Sequence, residues 1–415
     1  MRIVVLTQWF LPEKADLQLA IVKRLSSAGH EVVVLTGFPN YPAGQLFPGW
    51  RQRRALTTRQ DGYTLRRVAL YPSHDRSAVR RSLNYLSFAA SSTVSGWSAL
   101  RWADAVYVYH PPLTAAVGPW LSRRLGGAPY VLHVQDLWPD AVMATGLVGG
   151  RAGTGVARVL DVACRAVYER AAAVIAIAPT MAQVLERRGV DQAKISRVCN
   201  WADEDLFHPV PRSAAAQREL GLEGRFSVMF AGNVGDVQGL DIAVRAAGQL
   251  QDLLDFRLVV VGSGVALPAL KALASQLRLR NVLFVPSQPQ SRMNELTSAA
   301  DVQLVSLKDR PFLRAAIPSK IAAVLASGLP MICTAPGDAA DLVRESGAGW
   351  IAEPEDVDSL ANAIRAAHAS TPEHRAVMGR RGRRYYEQHL SREVSLRELE
   401  RIIAGAAESG PHTSR

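Results

Sequence analysis

Short runs of branched apolar residues alternate along the chain with longer amphipathic stretches. Arg2–Thr7, rich in Val and Ile, leads to a helical pattern over Leu17–Ala28 and, past Gly29 and His30, to a second apolar run over Glu31–Thr36. Strand, helix and strand in that order predict a βαβ unit, whose parallel strands point their carboxyl ends to one edge. The rhythm continues with strands predicted at Ala105–Tyr109, Tyr130–Val134, Ala173–Ala178 and Ile195–Asn200, and helices at Pro112–Leu125, Ala157–Arg170 and Pro179–Arg188. An arginine-dense stretch, Arg51–Arg81, interrupts the series. A helix follows over Leu83–Leu100, in which Leu83, Leu86, Phe88, Val94, Trp97 and Leu100 interleave with small residues.

The alternation pauses in NWADEDLFHPV, which places a domain boundary between Asp203 and Arg212. It resumes with strands at Phe226–Ala231, Arg257–Val261, Val282–Val285, Val302–Ser306 and Met331–Thr334. Helices are predicted at Leu240–Leu250, Met293–Ala299 and Val357–His368, and a basic helical stretch spans Met378–Ala404. The fold class expected is α/β, with two Rossmann-like doubly wound domains facing a crevice. The divisions expected are an N-terminal domain at 1–205, a C-terminal domain at 206–385 and a closing helix at 386–415 that crosses back to the first domain. Only the last few residues read as disordered.

Composition narrows the class. With 48% hydrophobic and 20% charged residues over 415 positions, the chain is an ordinary soluble globular protein with room for two cores. Its net charge of +11 suits an acidic ligand or an anionic surface without choosing between them. Neither RNA-binding aromatic signatures nor a zinc finger is present, so no nucleic-acid partner is expected. The three cysteines, Cys164, Cys199 and Cys333, are far apart, which fits a reducing compartment. MRIVVLTQWF has no basic leader, and no apolar window approaches the ~18 residues of a membrane span. The expected location is the cytoplasm. Arg80, Arg81 and Trp97 offer a peripheral contact with the inner face of the plasma membrane, although a packed helix beside a solvated basic loop explains the same pattern.

Candidate chemistry gathers in the loops at the strand ends. The first βα loop, QWFLPEKADLQ, contains no glycine, so the dinucleotide fingerprint is missing and a nicotinamide or flavin Rossmann site is not expected. HVQDLWPD sets His133, Asp136, Trp138 and Asp140 at or past a strand end, and Gly37–Gly44 forms a turn-rich loop on the same edge. Gly232 and Gly235 bracket a turn that enters a helix, where backbone N–H groups meet phosphates, and Gly262 and Gly264 repeat the pattern one unit later. Finally, Ile317-Pro318 predicts an extended approach to a helix with Ser319 as its N-cap, Lys320 in its first turn and Gly328 at its stop. That junction offers free N–H groups, a positive dipole end and a full charge to a diphosphate.

In order along the chain, GHEVVVLTGFPNYPAG, LHVQDLWPDAVMATGL, NWAD, AGNVGDVQGLD, VVVGSG and IPSK with LASGLP resemble the GT-B glycosyltransferases of family 4. Within it they are similar to the colanic-acid-type fucosyltransferases and the O-antigen N-acetyl-L-fucosamine transferases. The resemblance implies a retaining enzyme that takes a sugar from a UDP- or GDP-sugar, of fucose type or N-acetylated, to a lipid-linked saccharide in cell-surface polysaccharide synthesis. It implies a diphosphate near Gly232, Asn233, Gly235, Gln238, Pro318, Ser319 and Lys320, a base near Gly262, Gly264 and Pro286, and His133 beside the donor sugar.

On the acceptor side it points to Asn40, Tyr41, Asp136, Trp138 and Asp140. No cofactor is implied, and no metal, since no DxD-type pair stands in the phosphate loop. Where the wider family carries a pair of glutamates, this chain has Ala315 and Ala323, and charge compensation falls to Lys320 with Arg314, Lys308 or Arg310. A natural-product or small-molecule glycosyltransferase and a non-catalytic nucleotide-sugar-binding or scaffold protein are the alternatives.

Overall fold

Consecutive Val, Ile and Leu side chains leave neither face of a strand polar, so such runs fold as parallel strands covered by helices on both sides. The computed structural model of the chain describes residues 1–74, 77–144 and 150–409, the side chains of 144 and 150–154 excepted. The end of the HVQD motif, at 145–147, and the closing residues expected to be disordered, 410–415, lie outside the described residues. The chain forms two units, Met1–Cys199 with Ser395–Arg415, and Asn200–Val394.

The first unit is built on β1 (Arg2–Leu6), β2 (Glu31–Gly37), β3 (Ala55–Gln60), β4 (Tyr63–Val68), β5 (Ala105–His110), β6 (Tyr130–Val134), β7 (Ala173–Ala176) and β8 (Ile195–Arg197). Their order is β3-β4-β2-β1-β5-β6-β7-β8. All pairs are parallel except β3 with β4. That hairpin stands where a basic loop was expected. Its sequence signal is Asp61-Gly62 between alternating residues, with Gly62 at φ +84° as the tight turn requires. Helix α1 (Asp16–Ser27) follows β1, and α2 (Ala78–Trp102) begins five residues earlier than the apolar pattern indicates because Ser77 caps it by accepting from Arg80 N. The final helix, Arg392–Glu408, packs its C-terminal part in this unit, where Arg24 pairs with Glu400 at 2.8 Å.

The second unit carries β9 (Phe226–Ala231), β10 (Phe256–Val261), β11 (Val282–Val285), β12 (Val302–Ser306), β13 (Met331–Thr334) and β14 (Gly349–Ile351). They are ordered β11-β10-β9-β12-β13-β14 and all parallel. The order reverses at β9 and β12, the point where α/β sheets of this kind open a crevice outside the strand ends. Period-two alternation divides the core: Val228 and Phe230 pack on one face, Met229, Val259 and Val261 on the other. Two helices matter to the site, α3 (Leu240–Gln249) after β9 and α4 (Ser319–Ala326) after β12.

The units divide at Cys199–Asn200, a few residues before the expected linker. Ala202–Asp205 belong to the second unit because of local bonds: Ala202 N donates to the Tyr386 hydroxyl, which donates to Glu204, and Glu204 also accepts from Arg392 N. Among the described residues no helix is long and apolar enough to cross a membrane.

Candidate diphosphate site

The loop leaving β9 and the loop leaving β10 lie backbone against backbone. Gly232 N donates to Val261 O at 2.9 Å and Val234 N to Ser263 O at 2.9 Å, while Ala266 N returns a bond to Val234 O at 3.0 Å. A Cβ on Gly262 would stand 1.9 Å from Gly232 O, and one on Gly264 would stand 2.2 Å from Val234 O. These two glycines, at φ +148° and +157°, are therefore fixed by loop stacking, not by an open phosphate cradle. Pro286 follows β11, whose Val285 O accepts from Gly262 N, so the residues expected around the base are brought together.

The backbone donors of the first loop are largely spent. Gly232 and Val234 are committed as above, and Gly235 N donates to Gln238 Oε1 at 3.0 Å. The expectation that Gly232, Gly235 and Gln238 present free groups to phosphate is corrected: they hold the loop's shape. Ser306 Oγ donates to Gln238 O, Thr334 Oγ1 donates to Ser306 Oγ, and Lys308 N donates to Val237 O, which ties the loop to the ends of β12 and β13. Asn233 stays exposed, and its N–H has no partner among the described residues.

Lys320 is the center of this arrangement. Its Nζ lies 3.2 Å from the centroid of the buried Phe230 ring, and its stem fills the space above Gly232, where a Cβ would meet Lys320 Cε at 2.7 Å and Nζ at 3.1 Å. Among the described residues no carboxylate pairs with it. Burial holds its pKa down to about 7.

The cap differs from expectation. Pro318, at φ −59° and ψ 134°, occupies the N-cap position and no side chain caps the helix, so Ser319 is the first helical residue. Pro318 has no hydroxyl to turn inward, and the N–H groups of Ser319 and Lys320 remain without partners among the described residues.

The neighboring arginines are already paired. Arg314 forms two bonds to Asp309, at 2.8 and 2.6 Å, and Arg310 pairs with Glu355 at 3.0 Å. Both are exposed, which removes Arg314 and Arg310 as free phosphate cations and leaves Lys308 beside Gly239. Ala315 is buried and Ala323 half-buried, without a polar atom for a ribose.

In the first unit the structure sorts the remaining candidates. His133 is 1% exposed, its Nδ1 hydrogen-bonded to the Tyr107 hydroxyl at 2.5 Å, and burial pushes its pKa down to about 3. The ring is neutral and enclosed, between Tyr107 and Tyr109. It has the setting of a core histidine, with no open face toward a donor sugar. Asn40 is buried and donates to Phe38 O, and Trp138 is buried against His110 and Tyr85, so neither is free to meet an acceptor. Asp140 is taken by Arg188 at 2.5 Å. Asp136 reaches solvent, with its carboxyl pKa raised by desolvation, and Tyr41 is half-exposed.

With this geometry in place, likeness to known proteins decides the family. The chain is 32% identical over 396 residues, 93% of its own length and 94% of the relative's, to WcaI of Escherichia coli strain K12, a glycosyl transferase named for colanic acid biosynthesis. The chain is a family 4 GT-B glycosyltransferase. Residues 213–385 match the "Glycosyl transferases group 1" model and residues 18–201 the "Glycosyl transferase 4-like domain" model. The fold is shared with Anabaena HepE in complex with UDP (TM-score 0.72, 16% identity, 98% of this chain and 100% of that one). It is shared too with WaaG, a glycosyltransferase involved in lipopolysaccharide biosynthesis (TM-score 0.68, 17% identity, 97% of this chain and 100% of that one).

Three contributors to the glycosyltransferase's site escape a sequence reading. Phe230 looks like any core residue of β9, Ser306 like any strand end, and Ser263 enters only through its carbonyl. Each acts by where the sheet order places it, for which sequence spacing holds no signal.

His133→Leu should lower stability by about 1–3 kcal/mol, because the Tyr107 hydroxyl loses its buried partner. In the His133→Leu/Tyr107→Phe double variant both polar groups are gone, and part of that loss should return. The urea midpoints of the three proteins check this.

Proposed function

We propose that this glycosyltransferase moves a sugar from a UDP- or GDP-sugar of fucose or N-acetylated type to a hydroxyl of a lipid-linked saccharide, with retention at the anomeric carbon, in cell-surface polysaccharide assembly. The observation that carries the proposal is Lys320: a desolvated ammonium without a carboxylate, at the uncapped start of α4 and against the loop that leaves β9. A diphosphate supplies the missing negative charge. As the nucleoside diphosphate departs, charge grows on its terminal phosphate, and Lys320 with the Ser319 and Lys320 N–H groups stabilizes it in a preorganized setting. The UDP bound by HepE and the colanic acid pathway for which WcaI is named support the donor and the product class.

Asp309 and Glu355 are held by Arg314 and Arg310, and neither is offered as a nucleophile. The leaving phosphate itself takes the proton of the acceptor hydroxyl, which attacks from the same face. Lys320→Met is expected to lower turnover with the donor sugar about 10²-fold to 10³-fold. The free enzyme's Lys320 titrates at about 7, and a bound diphosphate raises that value. Binding therefore takes up a proton at neutral pH and above, and UDP affinity should fall as pH rises through 7 to 9, by at most about tenfold per unit. Calorimetry on parent and Lys320→Met checks this; an identical slope in the variant would remove Lys320 from the phosphate site.

The charge supply rests on Lys320 and helix N–H groups, so turnover should be unchanged, within about twofold, after EDTA treatment and desalting. Loss of activity on chelation, restored by magnesium or manganese, would contradict this.

The lipid-linked acceptor draws support from α2. Val79, Leu83, Leu86 and Val94 are 47–69% exposed along one helical face, whereas Phe88 and Leu100 are fully buried. Trp97 is half-buried, and the helix has Arg80, Arg81 and Arg101 but no acidic residue. An apolar stripe with only positive charge fits the headgroup region of an anionic bilayer. Cosedimentation with phosphatidylglycerol vesicles should weaken about tenfold or more in Arg80→Ser/Arg81→Ser, at roughly 1 kcal/mol per lost charge. Leu83→Ser/Leu86→Ser should weaken it as well, and indifference to both pairs would sink the membrane contact.

A further inference from the structure

At the carboxyl edge of the first sheet, two loops are locked together by a buried carboxylate. Glu13, 2% exposed, accepts from Phe10 N at 3.1 Å in its own loop, and from Asn40 N at 2.8 Å and Tyr41 N at 2.7 Å in the loop after β2. Arg67, 3% exposed, lies in its field, donates to the Gly37 and Leu11 carbonyls and covers Trp50. Gly44, at φ +70°, packs directly on the His74 backbone and draws in a third loop. Burying charges is an expensive way to stabilize a loop, since apolar residues of similar size commonly do as well. What the arrangement supplies is a fixed position for the side chains above it.

Those side chains are aromatic. Trp9 and Tyr41 stand with ring centroids 5.1 Å apart and tilted by 42°, and Tyr41 meets His74 edge-on at 4.8 Å. All three are half-buried. The Trp9 indole N–H, the Tyr41 hydroxyl and the His74 ring nitrogens have no hydrogen-bond partner among the described residues. Burial and nearby Arg81 lower the His74 pKa, so its ring is neutral and offers one donor and one acceptor. No large hydrophobic residue between positions 2 and 70 is strongly exposed, whereas Tyr71 and Val79, on either side of His74 in the chain, are.

We infer that Trp9, Tyr41 and His74 form a subsite for a pyranose ring of the acceptor, its C–H face on the aromatic rings and its hydroxyls on their unpaired polar atoms. This rests on the reading that the acceptor is a saccharide. Its position suits the task, because loops at the carboxyl ends of parallel strands are where this class of sheet binds ligands. Inclined rings with polar tips match a ligand that alternates C–H faces and hydroxyls.

Saturation-transfer NMR with methyl glycosides of glucose, galactose and fucose tests the subsite, alongside the thermal shifts given by UDP and by GDP. The parent should transfer saturation to the ring protons of at least one glycoside. Trp9→Leu and Tyr41→Leu should each weaken that binding about threefold to tenfold, and leave the nucleotide shift unchanged. Should Trp9→Leu melt early, Trp9→Phe keeps the ring without the indole N–H and should show a smaller loss in the same direction. Absence of transfer from the parent to every glycoside, or equal transfer in parent and variants, overturns the subsite while the donor reading stands on its nucleotide shift. Glycoside binding without a shift from either UDP or GDP supports the subsite and defeats the donor reading. If the variants instead lose binding to phosphatidylglycerol vesicles and keep the glycosides, the rings are a lipid anchor and the inference fails.

Discussion

Lys320 is held where its charge is costly. A lowering from the ordinary 10.5 to about 7 corresponds to a preference for the neutral amine on the order of 5 kcal/mol. Between those pH values the unfolded chain keeps a proton that the folded chain releases, so the empty fold gains stability as pH rises through the window. At neutral pH the residue is therefore a liability to the fold, and its position is explained by a ligand more readily than by stability. Phe230 offers its ring face below, and Gly232 withholds a side chain above.

Much of the surrounding backbone serves that placement. Gly232 leaves room for the Lys320 stem, and its carbonyl lies so close to Gly262 that no side chain fits there. Gly264 stands in the same relation to Val234, so two loops from adjacent strands become one stacked layer. Gln238 closes the first loop on itself, and Ser306 fastens it to β12. A lysine at the start of a helix is ordinary; one with its approach fixed by glycines on two neighboring strands is not.

The first unit uses buried charge differently. Glu13 is enclosed but fully satisfied, with three backbone N–H donors and Arg67 nearby. It fixes the loops that carry Trp9 and Tyr41, and it has no capacity left for a ligand. Lys320 keeps its charge unanswered. One group gives shape, and the other is left for an anion.

The sequence by itself determined the alternation of strands and helices, the doubly wound class and the family, because parallel strands buried on both faces must be continuous apolar runs and glycines at tight turns must stay glycine. It also located the Lys320 helix and the stop at Gly328. It missed the hairpin of β3 and β4, where arginines obscured an Asp-Gly turn, and it set the cap of α4 one residue late. Only the tertiary structure decided the partners. Arg314 and Arg310 read as free phosphate cations until Asp309 and Glu355 were found beside them, and Gly262 read as a phosphate turn until Gly232 O was found under its Cα. His133, Asn40 and Trp138 read as site residues until their burial was known. The reason is physical: a residue's type and spacing fix what it is able to bond, whereas which bonds are already made depends on neighbors that the sheet order brings from distant parts of the chain.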